Sequence, residues 1–530
     1  MSAGLPEVAR IVDDALGVYA DDAAAVEVLE SFRARLREPL RLAVAGIVKA
    51  GKSTLLNALI GERIAPTDAG ECTRTITWYR YGSTARVDLR LHDGRRISRP
   101  VRRDEGRLVL DMGGYTAEEV AWIDVAWPSE SLRSTVLIDT PGIASLTVEN
   151  SARSTDFFIP KDTPTAADAI IYLLRHVHAE DLKFLEAFRD TAAGESQTVN
   201  ALAVLSRADE IGSGRIDSLL SAAKIADRYR RDGELRSLAL DVVPVAGLLA
   251  EGGRTLRESE FIALRHIAMM DRAARDRLML TVDRFTRASD DTALSVDVRR
   301  ALLRRFGLFG VRLAAALIRG GANTSSALSD RLVQQSGLVE VQRFVEDQFR
   351  GRAFALKARG ILHSVERLVR ERPRPNTAGL LSAIERLTAQ SHDLRELSLL
   401  AELRTSPPEL DAAVLSEAER IVGGAGLAPA RRLGLGDDAD PVAQRERIDG
   451  LMTTWRSLAE SPLTDRHTAD LCRGVVRSVE GAASDLFGSD DAPSSSEFGG
   501  AAAGDATADV VLSGGPAQSR RDHREQQAQG

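Results

Sequence analysis

The segment Gly46-Ile47-Val48-Lys49-Ala50-Gly51-Lys52-Ser53 has the spacing G-x-x-x-x-G-K-S. Its two glycines let a backbone wrap closely round phosphates, so that N–H groups and the start of a following helix face the anion. Lys52 is spaced to reach the outer phosphates and Ser53 to ligate Mg²⁺. The candidate phosphate-cradle residues are therefore Gly46, Val48, Lys49, Ala50, Gly51, Lys52, Ser53 and Thr54.

Three further segments complete a chemistry. Asp139-Thr140-Pro141-Gly142 closes the apolar run TVLI; an Asp there holds Mg²⁺ through water, and the Gly142 N–H senses a γ-phosphate. Ser206-Arg207-Ala208-Asp209 closes ALAVL. A carboxylate at Asp209 accepts both guanine N1–H and N2–H₂, which adenine cannot offer, and Arg207 would stack its guanidinium plane on the base. The plain alternative is a strand-end Asp capping a helix. Between the cradle and Asp139, Thr73, Thr75 and Thr77 compete to place a hydroxyl and carbonyl on Mg²⁺ and the attacking water. Two or all three are otherwise ordinary β-branched strand residues. VVPVAGLL (242–249) stands where another base-contacting loop is expected, but its residues are generic.

The elements around these motifs are strands that alternate with helices. RLAVAGI, TVLIDT, AIIYLLR, ALAVLS and DVVPVA read as strands buried on both faces, separated by helix-length polar stretches. Val87, Leu89 and Leu91 alternate with polar residues, as do Ile123, Val125 and Trp127, which predicts half-buried antiparallel strands. The expected fold is an α/β P-loop domain with a largely parallel sheet. Residues 5–37 are helical in pattern, with Asp21 and Asp22 breaking or capping between two segments. Beyond residue 253 the β signal disappears; helices run on, with breaks expected at Gly307, Gly310 and Gly320–Gly321. Phe354, Ala358, Ile361, Val365 and Leu368 have the seam spacing of packed long helices. Val422–Gly436 reads as a Gly-rich loop between helical runs, and the stretch from 488 as a disordered tail.

With 530 residues, the chain has room for two to four structural units. Its 70 basic residues, only six of them Lys, stand against 77 acidic ones, a net charge of −7. That balance argues against a nucleic-acid binder. Cys72 and Cys472 are too few and too far apart for a zinc cage or a disulfide framework, which fits a reducing cytoplasm. No stretch reaches the length of a spanning helix, and the acidic N-terminus does not read as a signal peptide.

The order of motifs resembles the bacterial dynamin-like GTPases, most closely the isoniazid-inducible dynamin-like proteins of mycobacteria and related actinobacteria. The residues that carry it include LAVAGIVKAGKSTLLNALIGERIAPTDAGECTRTITWYRYG, IDTPGIASL, LSRADEIGSGRIDSLL, RFGLFGVRLA and QSGLVEVQRFVEDQF. The resemblance implies a GTPase that converts GTP and water to GDP and phosphate with Mg²⁺ bound by Ser53, Thr73 and, through water, Asp139. It aligns Thr73 with the switch threonine, ahead of Thr75, and sets a GTPase domain on a long helical stalk. The expected partition is 1–37 for stalk or neck helices and 38–350 for the GTPase domain, with 253–333 a helical insertion or neck. Residues 351–487 form the stalk and 488–530 the tail. The resemblance also implies self-association or a paralogous partner, and work on the cytoplasmic face of the plasma membrane.

Departures from the family pattern matter. Ile143 follows Gly142, where Ras-like enzymes carry a water-orienting Gln. Either hydrolysis is poor or assembly completes the site. Val48 and Lys49 replace the Gln-Ser with which dynamins fix a monovalent cation. Lys49 then either supplies that positive charge itself, as a catalytic group beside Lys52, Thr73 and Gly142, or simply raises nucleotide affinity from solvent. Arg74 either stabilises transition-state charge across a dimer or is simply a mobile surface arginine. For lipid contact the candidate is 422–436, where Leu427, Leu433 and Leu435 stand beside Arg431 and Arg432 and suit anionic headgroups. Two rivals remain: a soluble switch GTPase for a macromolecular partner, and a hydrolysis-poor nucleotide holder paired with an active paralogue.

Overall fold

The computed structural model of the chain describes residues 4–66, 75–141, 167–193 and 199–488, apart from 105, 216, 232–233 and 437. Eleven strands occur among them: β1 Leu40–Gly46, β2 Thr77–Tyr81, β3 Arg86–Leu91, β4 Arg96–Arg99, β5 Arg102–Asp104, β6 Arg107–Val109, β7 Val120–Trp127, β8 Thr135–Asp139, β9 Ala169–Leu174, β10 Ala201–Ser206 and β11 Asp241–Val245. Nine form one sheet in the order β11-β10-β9-β1-β8-β2-β7-β3-β4; β5 and β6 make a separate hairpin. From β11 to β8 every neighbour is parallel. The five apolar runs are these five strands, as their two-faced burial requires.

Alternate residues of the parallel strands feed two cores. Leu42, Val44, Ile171, Leu173, Leu202 and Val204 lie on one face, Ala43, Ala45, Ile170, Tyr172, Ala201 and Ala203 on the other. The first core runs unbroken into the helices at both ends of the described chain. These include α1 Leu5–Val18 and α2 Ala23–Arg37 before the sheet. Asp22 caps α2 by accepting from the Ala25 N–H, the predicted break. At the junction, Asp168, just before β9, accepts from Arg35 Nη2 and from the Arg41 N–H, both at 2.8 Å. Lys357 Nζ donates to the Glu38 carbonyl at 2.8 Å beside it.

α3 Lys52–Ile60 follows the cradle, and α4 Ala179–Ala193 and α5 Ser218–Arg231 connect the parallel strands. After β11 every regular described element is helical: α6 Gly247–Arg254, α7 Glu258–Met269, α8 Arg272–Leu278, α9 Val282–Thr286, α10 Val296–Arg319 and α11 Ser325–Gln335. They enclose a third core from Ala246 to Leu332. α12 Leu338–Phe344 then passes through a π-helical turn, Val345–Arg350, into α13 Ala353–Glu371. The remaining helices are α14 Thr377–Gln390, α15 His392–Thr405, α16 Ala412–Ile421, α17 Pro429–Leu433, α18 Pro441–Glu460 and α19 Arg466–Phe487. The seam residues Ala358, Ile361 and Val365 of α13 are buried, with Phe354 and Leu368 packed against the same core. No helix among the described residues is long and apolar enough to cross a membrane.

Three expectations are corrected. α10 bends at Gly307, whose φ of 64° no ordinary residue adopts easily, but runs on as helix through Gly310. β3 and β7 are antiparallel as expected, yet they are not half-exposed: Asp88 and Asp124 face each other across them and are buried. Arg86, Arg96 and Ser98 satisfy Asp88, and Arg80 pairs with Asp124, so arginines cover that polar face. The third correction concerns 422–436, which is a packed corner around α17 rather than an exposed lipid-seeking loop. Val422 and Leu433 have no exposed surface, and Arg432 is 4% exposed. Arg432 pairs with Glu396 and donates to the Ile421 and Ser478 carbonyls; Arg431 binds Asp347 at 2.7 Å. Both charges placed at the headgroups are thus already paired within the protein.

Candidate functional site

The parallel strands deliver their C-terminal ends to one edge of the sheet, where open α/β sheets bind ligands. β1 ends at Gly46, where an added Cβ would stand 2.3 Å from the Leu173 carbonyl oxygen, so only glycine lets β9 lie so close. The loop then turns through Lys49, left-handed at φ 61°, and Gly51 before α3 begins at Lys52. Val48 and Lys49 form its exposed crown, while Ala50 is buried.

Lys52 Nζ donates to the carbonyls of Gly46 at 3.2 Å and Ile47 at 3.3 Å. Burial lowers its pKa, and Asp139 works against that shift. Ser53 Oγ donates to Asp139 Oδ2 at 3.0 Å. Asp139 ends β8, and burial pushes its carboxyl up to about 6 despite Lys52, Ser53 and the Thr140 N–H. Its Oδ1 is buried and has no hydrogen-bond partner among the described residues. A hydroxyl, a carboxylate and an orphaned carboxylate oxygen are hard oxygen donors, the set that Mg²⁺ takes. Thr140 is spent elsewhere, donating to the Val44 carbonyl at 3.0 Å.

Thr77 lies in β2 directly opposite Asp139, and Thr75 precedes it, buried, its Oγ1 without a hydrogen-bond partner among the described residues. Thr73, Arg74 and Gly142 lie outside the described residues.

A cleft opens beside the cradle. Ala50, Gly51, Thr54, Ser206, Arg207 and Asp209 line it, so the phosphate and base segments meet in one cavity. Burial raises the Asp209 pKa; Glu210 adds to this and Arg207 opposes it. Such a carboxyl gains when N–H donors reach it. Arg207, left-handed at φ 54°, donates to the Lys49 carbonyl at 2.9 Å and to Glu210 at 2.8 Å. Its guanidinium is thus held between two acceptors. Ser206 Oγ donates to the Leu174 carbonyl at 3.0 Å and clips β10 to β9.

The other side of the cleft is Val245, Gly247 and Leu248, at the end of β11 and start of α6, within the 242–249 segment expected to supply a further base-contacting loop. The pairing of β11 with β10 brings them there; the available signal was only their place after a fifth buried strand. Arg175, which donates to the Lys49 carbonyl at 3.2 Å, was not among the expected site residues.

Comparison with known proteins fits this geometry. A model of the Dynamin family matches residues 42–186. The chain is 40% identical over 455 residues to the isoniazid-induced protein IniC of Mycobacterium tuberculosis, covering 85% of this chain and 91% of that one. The chain belongs to the isoniazid-induced, dynamin-like family. Within this family it is also similar to isoniazid-induced protein IniA of M. tuberculosis, at 35% identity over 138 residues, 23% of this chain and 20% of that one. A solved structure described as an oligomerised bacterial dynamin pair covers 92% of this chain and 75% of its own, at 14% identity and a TM-score of 0.34. The dynamin-type fold carries a GTPase domain, and the edge just described is where its motifs converge.

Proposed function

We propose that this chain binds GTP and GDP and hydrolyses GTP with Mg²⁺ as a dynamin-like mechanoenzyme. The supporting observation is that cradle, metal-type oxygen pair and guanine-type carboxylate share one sheet edge, with Gly51, Thr54 and Asp209 lining a single cleft. Mg²⁺, when bound, neutralises charge on the β- and γ-phosphates. Ser53 and Asp139 would hold it, Asp139 through water, with Thr73 the first choice for the switch threonine. The cradle N–H groups and Lys52 hold the phosphates, Lys52 leaving the Gly46 and Ile47 carbonyls to do so. Asp209 reads guanine N1–H and N2–H₂, and the Arg207 plane supports the base. Water attacks the γ-phosphate in line, without a covalent intermediate. The Gly142 N–H senses that phosphate, and Lys49 adds positive charge at the exposed crown.

In this reading residues 38–350 are the GTPase domain, with 253–333 as its helical insertion or neck. Residues 1–37 and 351–487 form the stalk. GTP-driven pairing of the chain with itself or a paralogue moves that stalk against anionic lipid on the cytoplasmic face of the membrane. Family membership supports this part.

A second reading is a hydrolysis-poor nucleotide holder beside an active paralogue, favoured by Ile143 where a water-orienting Gln would stand. One experiment separates the two: GTP turnover against protein concentration, with and without anionic liposomes, with Lys52→Ala as the blank. Turnover rising more than linearly with concentration, and further on liposomes, is expected. Tight GTP binding with turnover at the blank's level would leave the second reading standing.

A further inference from the structure

Among the described residues only Lys49, Arg207 and Asn376 are non-glycine residues with a positive φ. Asn376 is a side chain that tolerates that region, in the turn before α14. Lys49 and Arg207 are not, and they are bonded to each other through the Lys49 carbonyl. Strained residues persist only where their surroundings over-determine them, and here two guanidinium groups do so. Arg207 reaches the carbonyl from the end of β10 at 2.9 Å, Arg175 from the end of β9 at 3.2 Å.

A phosphate cradle needs successive N–H groups turned inward, which an alternation of right- and left-handed residues provides. The carbonyls must then turn outward. Lys49 makes that turn without glycine's freedom, at φ 61°. Its outward carbonyl is where both arginines donate. Arg207 divides its guanidinium between this carbonyl and Glu210, and the base-binding role proposed above already accounts for it. Arg175 has no such role. It follows a strand paired with β1 in parallel register, Gly46 opposite Leu173, which carries it over the cradle's crown.

We propose that Arg175 is a positioning residue for nucleotide binding: it holds the Lys49 peptide in the left-handed geometry that turns the cradle N–H groups toward phosphate, without itself touching the nucleotide. This rests on the nucleotide reading above.

The test is GDP affinity, measured with a fluorescent GDP analogue, for Arg175 and Arg175→Ala in three backgrounds: native Lys49, Lys49→Ala and Lys49→Gly. Lys49→Ala removes the ammonium but keeps the left-handed penalty; Lys49→Gly removes both. Arg175→Ala should weaken GDP about tenfold in the first two backgrounds and less than about twofold in the third. A merely structural loss, or direct contact between Arg175 and phosphate, would weaken all three alike, and that result overturns the proposal. So does an unchanged affinity in the native background. Arg175→Met, which keeps the aliphatic stem, serves in the same scheme if Arg175→Ala does not fold by circular dichroism. Failure of the unmodified chain to bind GDP would instead refute the nucleotide reading and take this proposal with it.

Discussion

Ser53 Oγ and Asp139 Oδ2 lie 3.0 Å apart, although 86 positions separate them. The two belong to neighbouring elements, α3 after β1 and β8 beside β1, so the parallel pairing of β1 with β8 makes the contact. The hydroxyl occupies one carboxylate oxygen, and the other has no hydrogen-bond partner among the described residues. Ser53→Ala should therefore lower Mg²⁺-dependent GTP turnover by about 100-fold. GDP affinity measured in EDTA should change little. Equal loss with and without Mg²⁺ would show that Ser53 serves the cradle rather than the metal.

Base recognition by Asp209 makes a chemical prediction. Asp209→Asn exchanges one acceptor for a donor, so guanine's N1–H and N2–H₂ can no longer both be received. GTP affinity should fall by about 10- to 100-fold, while xanthosine triphosphate, with an oxygen where guanine carries its amine, should gain. Competition binding with both nucleotides checks this. A strand-end cap would change neither preference.

Arg432 is expected to matter for stability, not for lipid. Removing it leaves Glu396 buried without the Arg432 guanidinium, takes the side-chain donor from the Ile421 carbonyl, and removes an extra donor from the Ser478 carbonyl. Breaking such a pair from one side costs about 3–5 kcal/mol. Arg432→Ala should lower the urea midpoint markedly. Arg431→Ala, whose pair with Asp347 is partly exposed, should cost about 1 kcal/mol or less.

His363, half-buried on α13, gives the stability a pH dependence. Burial lowers its pKa below the usual 6.5; Glu366 opposes this, and Arg367, Arg359 and Arg370 reinforce it. The unfolded chain therefore takes up the proton at a higher pH than the folded one. The stabilisation is full above about pH 6.5 and is lost as pH falls through the folded value. His363→Gln should flatten the drop in melting temperature between pH 7.5 and pH 5.5. An unchanged slope would place the pH dependence elsewhere.

Much of the site was legible because its chemistry dictates residue type at fixed spacing. Gly46, Gly51, Lys52 and Ser53 are constrained by phosphate geometry, and Asp139 by its place at a strand end. What escaped notice was set by contacts across the chain. Arg175 follows a generic apolar run, and only the register of β9 against β1 puts it on Lys49. The 242–249 segment was legible by its place after a fifth strand, but not residue by residue: Val245, Gly247 and Leu248 carry no distinguishing chemistry, and the pairing of β11 with β10 brings them to the cleft. The 422–436 stretch looked amphipathic because its leucines and arginines were read without their partners. Glu396 lies 36 positions before Arg432, and the Ser478 carbonyl 46 after it.

Strand β9 joins two of the places described above. At one end Asp168 ties it to Arg35 and Arg41, beside the Lys357 bond that brings in α13; at the other, Arg175 rests on the cradle's crown. Six residues of extended chain span about 20 Å. Flanked by β1 and β10 and buried throughout, the strand is a strut that resists both bending and shortening. A shift of the crown when phosphate arrives or leaves has a stiff, straight connection to the root of the helical bundle, with no loop between to soak up the displacement.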